Sequence, residues 1–170
     1  MQKLFTKSRF KLALECPTKL YYASPPEQYT NLQTDDEFPI SLAKGGFQVG
    51  ALAKIYCGVS PEHDLSDMHG YDRPAQFTQD LINQHTDIAI AEAAFRWGNC
   101  FVRVDISEKH GDVLHLIEVK AKSCEGTTEN YVDRKGKIKS KILPYLYDVA
   151  FQKYVVELAM PGYQVKASLM

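Results

Sequence analysis

Three carboxylates and a lysine stand in stretches that otherwise read as apolar strands. Glu92 interrupts DIAIAEAAFRW, Asp105 interrupts CFVRVDISE, and Glu118 with Lys120 lies in VLHLIEVKA. Two short turns, Gly98-Asn99 and Gly111-Asp112, join these runs. Glycine followed by Asn or Asp is a two-residue hairpin signal. Counting outward from tight turns, Asp105 falls opposite Glu118 and Glu92 falls opposite Asp105. Alternation with period two then puts Glu92, Asp105, Glu118 and Lys120 on one face. Directly opposed side chains have Cβ atoms about 4.5–5.5 Å apart. Two carboxylates about 5 Å apart repel by roughly 3 kcal/mol at an effective dielectric near 20. Lys120 offsets part of that repulsion. A divalent cation offsets more, and hard cations such as Mg²⁺ prefer carboxylate oxygens. The competing reading is a solvated sheet face with scattered acids, against which the apolar neighbours Ile90, Phe101 and Leu116 argue.

The elements that must position these groups are legible in outline. Ser8–Tyr22 reads as helical, and Pro17 breaks it or starts a second short helix, because proline is tolerated in a first turn. Phe47–Tyr56 reads as a helix that offers Phe47, Leu52, Ile55 and Tyr56 to a core. Pro74–Gln84 reads as a short helix. Three strands are expected over Asp87–Trp97, Cys100–Glu108 and Val113–Ala121. A helix from Pro144 to about Leu158 follows, stopped by Pro161-Gly162, and then a strand over Tyr163–Met170. Ser24–Asp36, Gly58–Arg73 and Lys122–Leu143 read as connections. The expected class is α/β (α+β), a mixed central sheet in the order α-β-β-β-α-β with extra N-terminal helices.

The chain's 170 residues suit one domain spanning residues 1–170. A net charge of −1 announces neither a nucleic-acid nor a membrane partner, so any basic surface is local. No apolar run is long enough to span a bilayer. The N-terminus does not read as a signal peptide, because Lys11 and Glu15 interrupt its apolar part. Cys16, Cys57, Cys100 and Cys124 lie far apart with no CxxC pair, which suits reduced thiols and a cytoplasmic location.

Asp105, followed after a hairpin by Glu118-Val119-Lys120, resembles the PD-(D/E)XK nuclease signature. Further segments extend the likeness. SRFKLALECPTKLYYA resembles the N-terminal segment of RecB-like nucleases and of CRISPR-adaptation exonucleases, and GGFQVGALAKIY resembles their next helix. IAEAAF resembles the acidic motif before the Asp, and LYDVAFQKYVVE the helix that follows the Glu-x-Lys strand. The resemblance covers most of the chain, as in the N-terminal region of a group of bacterial proteins. It implies a restriction-endonuclease-like core and a RecB-like, metal-dependent nuclease that hydrolyses DNA phosphodiester bonds. It further implies Mg²⁺ or Mn²⁺ held by Glu92, Asp105, Glu118 and the Val119 carbonyl. Lys120 would position or deprotonate the attacking water, and Gln152 would face substrate or water. Asp105, Glu118, Lys120 and Gln152 are thus the expected catalytic set, and single- or double-stranded DNA the expected partner. Two positions depart from the pattern. Val49-Gly50 stand where relatives often carry a metal-binding His, and Tyr154 follows Gln152 at a shorter spacing than the family's. They favour the alternative, a catalytically weak or inactive nuclease-fold module that binds nucleic acid or a protein partner. Cys16 matches the first cluster cysteine of the CRISPR-associated relatives, but Cys57, Cys100 and Cys124 are not spaced for a cluster, so no iron–sulfur cluster is expected in this chain. The abrupt end at Met170 is read as that of a fragment or of a short family member.

The segment DRKGKIKSK supplies Arg134, Lys135, Lys137, Lys139 and Lys141 as candidate phosphate contacts. It reads equally well as a solvated loop. His63 and His69 read as exposed loop residues and His115 as a packed strand residue. Asp148, one turn before Gln152, either orients that amide or is a first-turn acid favoured by the helix dipole.

Overall fold

A computed structural model describes residues 4–23, 29, 37–122 and 131–170, with only the backbone for 37–45. Most of the expected Ser24–Asp36 loop, the middle of Lys122–Leu143 and Cys124 lie outside the described residues. The elements are β1 (Phe5–Thr6), α1 (Lys7–Glu15), α2 (Pro17–Tyr22), α3 (Glu37–Tyr56) and α4 (Asp72–Gln84). They continue with β2 (Asp87–Trp97), β3 (Cys100–His110), β4 (Val113–Glu118), α5 (Leu143–Ala159) and β5 (Gln164–Leu169). The protein is thus mixed α/β, with a five-stranded mixed sheet. From α4 onward the element order is helix, three strands, helix, strand, as the sequence predicts.

Both hairpin turns are tight. Trp97 pairs with Cys100 and His110 with Val113. Gly98 and Gly111 take φ of 56° and 55°, the positive φ that the first turn position demands and glycine supplies without steric cost. β1 is not visible to period counting, yet it decides the layout. It pairs parallel with β3 at Cys100 and Phe101, residues that β2 also pairs. β4 pairs antiparallel with Ile106–His110, which β2 covers as well. So β1 and β4 share the edge of β3 that faces away from β2, and they run toward each other. Each ends there, at Thr6 and at Glu118, leaving a gap along residues 102–105 of β3.

Strict alternation fails beside that gap. Ile88 and Ile90 lie in the main core, and so do Ala93 and Phe95. On β3, Val102 and Val104 join the main core, whereas Ile106 packs with Ala53 and Ile117 in a second cluster. Yet the pairing keeps its count, with Ala91 opposite Ile106 and Ala93 opposite Val104. Both strands therefore turn over at the same level, at Glu92 and Asp105. Glu92 carries the irregularity with φ 54°, a left-handed conformation that costs a non-glycine residue about 1–2 kcal/mol. Backbone bonding of the preceding loop supports it: Leu65 N–H donates to Ala91 O at 3.0 Å.

The main core lies between the sheet and helices α4 and α5, with Leu81 and Ile82 from α4 and Phe151, Val155 and Val156 from α5. α1 docks on α5 through an aromatic trio. Phe10 stacks on Phe151 at 4.4 Å, and Phe5 meets the Phe151 ring edge-on at 5.8 Å. The expectation for α3 is corrected. Among the described side chains of α3, Ala53 is the buried apolar one, while Phe47, Leu52, Ile55 and Tyr56 are between 65 % and 82 % exposed. The helix also starts earlier than expected, at Glu37, and β4 ends earlier, at Glu118 rather than Ala121.

Thr78 and Lys109 are polar yet buried, and both are spent on backbone groups. Thr78 Oγ1 accepts the Ala94 N–H at 2.9 Å. Lys109 Nζ donates to Ile82 O at 2.7 Å and His85 O at 2.5 Å, so it caps the C-terminal end of α4. Thr78→Val keeps the shape but strands a buried N–H, which should cost about 1–3 kcal/mol. Urea unfolding at constant m-value checks it; a variant within 0.5 kcal/mol of the parent, about the size of an ordinary surface change, would mean that Ala94 finds another acceptor.

Candidate functional site

The gap beside β3 fixes what can meet there. β4 delivers Glu118 at its last residue, one pairing step beyond Ile117 and Ile106, so Asp105 stands beside it. β1 delivers Lys7 at the first residue of α1. Thr6 caps that helix, its Oγ1 accepting the Arg9 N–H at 3.4 Å. The Lys7 ammonium lies 2.9 Å from Glu118 Oε2 and 3.6 Å from Asp105 Oδ1, spanning both carboxylates. Asp105 Oδ2 accepts the Val119 N–H at 2.8 Å, which holds the chain close as it leaves β4.

α5 closes the other side. Gln152 Nε2 donates to Glu118 Oε2 at 2.7 Å and to Asp148 Oδ1 at 3.1 Å. Asp148 therefore orients the Gln152 amide, one turn away on the same helix. The helix-dipole alternative falls away, because the first turn of α5 carries no acid. Lys120, beyond the end of β4, reaches back to Glu118 Oε1 and lies 3.6 Å from Asp148 Oδ2. Its ammonium also sits 5.7 Å from the centre of the Tyr145 ring. Lys11, one turn after Lys7 on α1, bonds Asp148 Oδ2 at 3.3 Å. Three ammoniums thus face three carboxylates, and the Glu118 side chain is only 3 % exposed.

Of the sequence-derived candidates, the structure brings Asp105, Glu118, Lys120 and Gln152 together. Val119 enters through its N–H. Glu92 lines the same cleft of about 600 Å³ as Asp105, between the sheet and α3. It does not join the lysines. The backbone irregularity turns it to Arg103, whose Nε lies 3.2 Å from Glu92 Oε2. The register is as counted, and Asp105 stands with Glu92 in the cleft on one side and with Glu118 about Lys7 on the other, while Glu92 pairs with Arg103. Arg103 also donates to Leu65 O and Met68 O, tying the preceding loop to β3. Among the described residues, no three His, Cys, Asp or Glu side chains converge closely enough to hold a metal ion. Asp105 and Glu118 share the Lys7 ammonium, and Glu118 and Asp148 share that of Lys120.

Lys7, Lys11, Arg103 and Tyr145 escaped sequence reasoning. Lys7 is 111 positions from Glu118, and only the pairing of β1 makes them neighbours. Of the basic segment, Arg134, Lys135, Lys137 and Lys141 are exposed and Lys139 is half-buried. It is a built turn. Val132 bridges Ile138, and Asp133 Oδ1 accepts the N–H groups of Lys135 and Lys137. His115, facing away from Glu118, contacts Glu108 and Ser168. His63 is half-buried against the His85 ring at 5.3 Å, and His69 is exposed.

Burial pushes the carboxyls up, and the partners decide the outcome. Burial raises Asp105; Lys7 lowers it and the charge of Glu118 raises it, leaving it above the usual range. Burial also opposes ionisation of Glu118, but Lys7 together with hydrogen bonds from Lys120 and Gln152 outweighs it and holds the carboxyl at about 2. For Glu92, burial outweighs Arg103, and Asp105 adds to the rise. Burial disfavours the Lys7 ammonium, yet Asp105, Glu118 and Asp148 more than compensate and raise its pKa.

A scan of protein-family models, a search of curated proteins and a search of solved structures each return no match to this chain. No helix among the described residues is long and apolar enough to cross a membrane.

The two carboxylates should respond oppositely to neutralisation. Glu118 is lowered by folding, so its ionised form stabilises the fold above the usual carboxylate range, and this is lost as pH falls toward 2. Asp105 is raised, so its charge is a cost at neutral pH that vanishes as pH falls through the raised value. In EDTA at neutral pH, Glu118→Gln should lose on the order of 2 kcal/mol, and Asp105→Asn should melt above the parent. Melting curves decide it; shifts of the same sign in both variants would contradict this division of charge.

Proposed function

We propose that this chain is a metal-dependent nuclease of the RecB-like PD-(D/E)XK class, with a restriction-endonuclease-like core, acting on DNA phosphodiester bonds. The observation that carries the reading is the convergence of Asp105 from the middle of β3, Glu118 and Lys120 from the end of β4 and the residues just past it, and Gln152 from α5. The resemblance to the PD-(D/E)XK signature implies that set, and their meeting in the fold supports it.

The site's donors suit Mg²⁺ or Mn²⁺. Mg²⁺ is commonly held through one or two carboxylates, keeping several of its waters. Asp105 and Glu118 supply those, with the Val119 carbonyl and Glu92 nearby in sequence register. Two features fit a cation there. A positive charge, that of Lys7, already stands between the two carboxylates. Gln152 Oε1 is buried and has no hydrogen-bond partner among the described residues, so an acceptor is in place beside them. When bound, the metal lowers the pKa of a water and stabilises charge on phosphate oxygens.

The chain's own residues supply the rest. Lys120, held by Glu118 and Asp148, offers an ammonium to the attacking water and the phosphate. Gln152 is fixed by two carboxylates, so its free oxygen can orient a water or a substrate hydroxyl. The cleft between the sheet and α3 gives the substrate a path to Asp105. Exposed Arg134, Lys135, Lys137 and Lys141 offer sequence-independent phosphate contacts.

A second reading has its own observation. Lys7 ties up both central carboxylates, and Glu92 is committed to Arg103. A module that kept the fold and binds nucleic acid or a protein partner without cutting would look the same. Incubation with single- and double-stranded DNA in Mg²⁺, Mn²⁺ or EDTA separates the two. The nuclease cuts with metal, loses at least about a hundredfold in rate in Lys120→Met, and loses all cleavage in Glu118→Gln. Salt-sensitive DNA binding without cleavage supports the binding module, and absence of both overturns the DNA assignment.

A further inference from the structure

We propose that Lys7 is a built-in competitor for the divalent cation: its ammonium holds the position between Asp105 and Glu118 that the metal takes, and it must leave before the metal enters. This rests on the metal-dependent reading above.

The bonding of Glu118 makes the competition unavoidable. Its Oε2 accepts from Lys7 at 2.9 Å and from Gln152 at 2.7 Å, and its Oε1 is engaged by Lys120. A carboxylate offers about four lone-pair sites, two per oxygen. On the oxygen that lies toward Asp105 through Lys7, both are in use. Gln152 is buried on α5 and braced by Asp148, so it cannot withdraw. Lys7 can. It is about one-fifth exposed, and its charge sits on a flexible four-carbon stem. A cation bridging Asp105 and Glu118 therefore takes the lone pair that Lys7 now uses.

Charge balance points the same way. Lys7, Lys11 and Lys120 already match Asp105, Glu118 and Asp148. Adding two positive charges while all three ammoniums remain would overcharge a largely buried cluster. Departure of Lys7 leaves Asp148 with both Lys11 and Lys120, so the exchange stays local. Phe5 and Phe10, on either side of Lys7, remain packed on Phe151, so the side chain moves while α1 stays docked.

Calorimetric titration of the full chain with MnCl₂, without nucleic acid, tests this. Lys7→Met and Lys7→Gln should bind Mn²⁺ on the order of tenfold more tightly than the parent, and Glu118→Gln should abolish the same heat. Equal binding in parent and Lys7 variants overturns the proposal and leaves the metal reading standing. Weaker binding in the variants overturns it too, since Lys7 would then be assembling the site. Mn²⁺ binding to none of them overturns both this proposal and the metal-dependent reading. Should the variants fail to fold, the parent alone decides. Acetylation of Lys7 by a water-soluble acylating reagent, read by mass spectrometry against Lys11, should rise several-fold on adding Mn²⁺; an unchanged ratio overturns the proposal.

Discussion

Burial of the Glu118 carboxylate is the constraint on which much of the structure depends. An ionised carboxylate taken from water costs several kcal/mol unless charge and hydrogen bonds replace the solvent. Here the replacements come from three separate places. Lys7 comes from the start of α1, Lys120 from the chain just past β4, and Gln152 from the middle of α5. Each must arrive within hydrogen-bond distance, so the charge constrains the docking of α1 and α5 against the sheet end in addition to their apolar contacts. Replacing such a cluster by apolar residues would often be neutral or stabilising. Its presence is therefore better explained by use than by stability, and the raised pKa of Asp105 beside it says the same.

The gap on the edge of β3 follows from chain direction. β1 runs parallel to β3 and β4 antiparallel, so on one shared edge their C-terminal ends approach each other. Neither extends across residues 102–105. The N-terminus of α1 and the exit from β4 fill the space, and these are places where side chains can be aimed without belonging to a ladder. The turnover at Glu92 and Asp105 lies at the same level. The two coincide: beside the gap the pleat resets, and Glu92 takes an unfavourable φ while the hairpin stays in register. The result separates Glu92 from Glu118 while leaving it in the cleft with Asp105.

The legible part of this fold was whatever local rules decide. Two Gly-initiated turns set the register, and with it the meeting of Asp105 and Glu118. The i,i+4 spacing of Asp148 and Gln152 put both on one helix face. What stayed hidden depends on distant partners. Nothing in FTKSRF marks Phe5 and Thr6 as a strand, because two residues carry no period, and without that strand Lys7 has no address. The irregularity at Glu92 has no glycine to announce it. α3 misled in the opposite way. Its apolar residues suggest a core helix, yet the helix meets the sheet through Ala53, and Phe47, Leu52, Ile55 and Tyr56 face outward. Apolar content identifies a helix more readily than it identifies which side is covered.

The central proposal is that the ammonium of Lys7 and a divalent cation use the same place between Asp105 and Glu118. A crystal structure with MnCl₂, phased or checked by the anomalous signal of manganese, addresses it most directly. The account predicts an anomalous peak within bonding distance of both carboxylates, with the Lys7 ammonium withdrawn beyond salt-bridge range of Glu118 and Gln152 still donating to it. A map with no peak at that place and Lys7 still spanning the two carboxylates would contradict it.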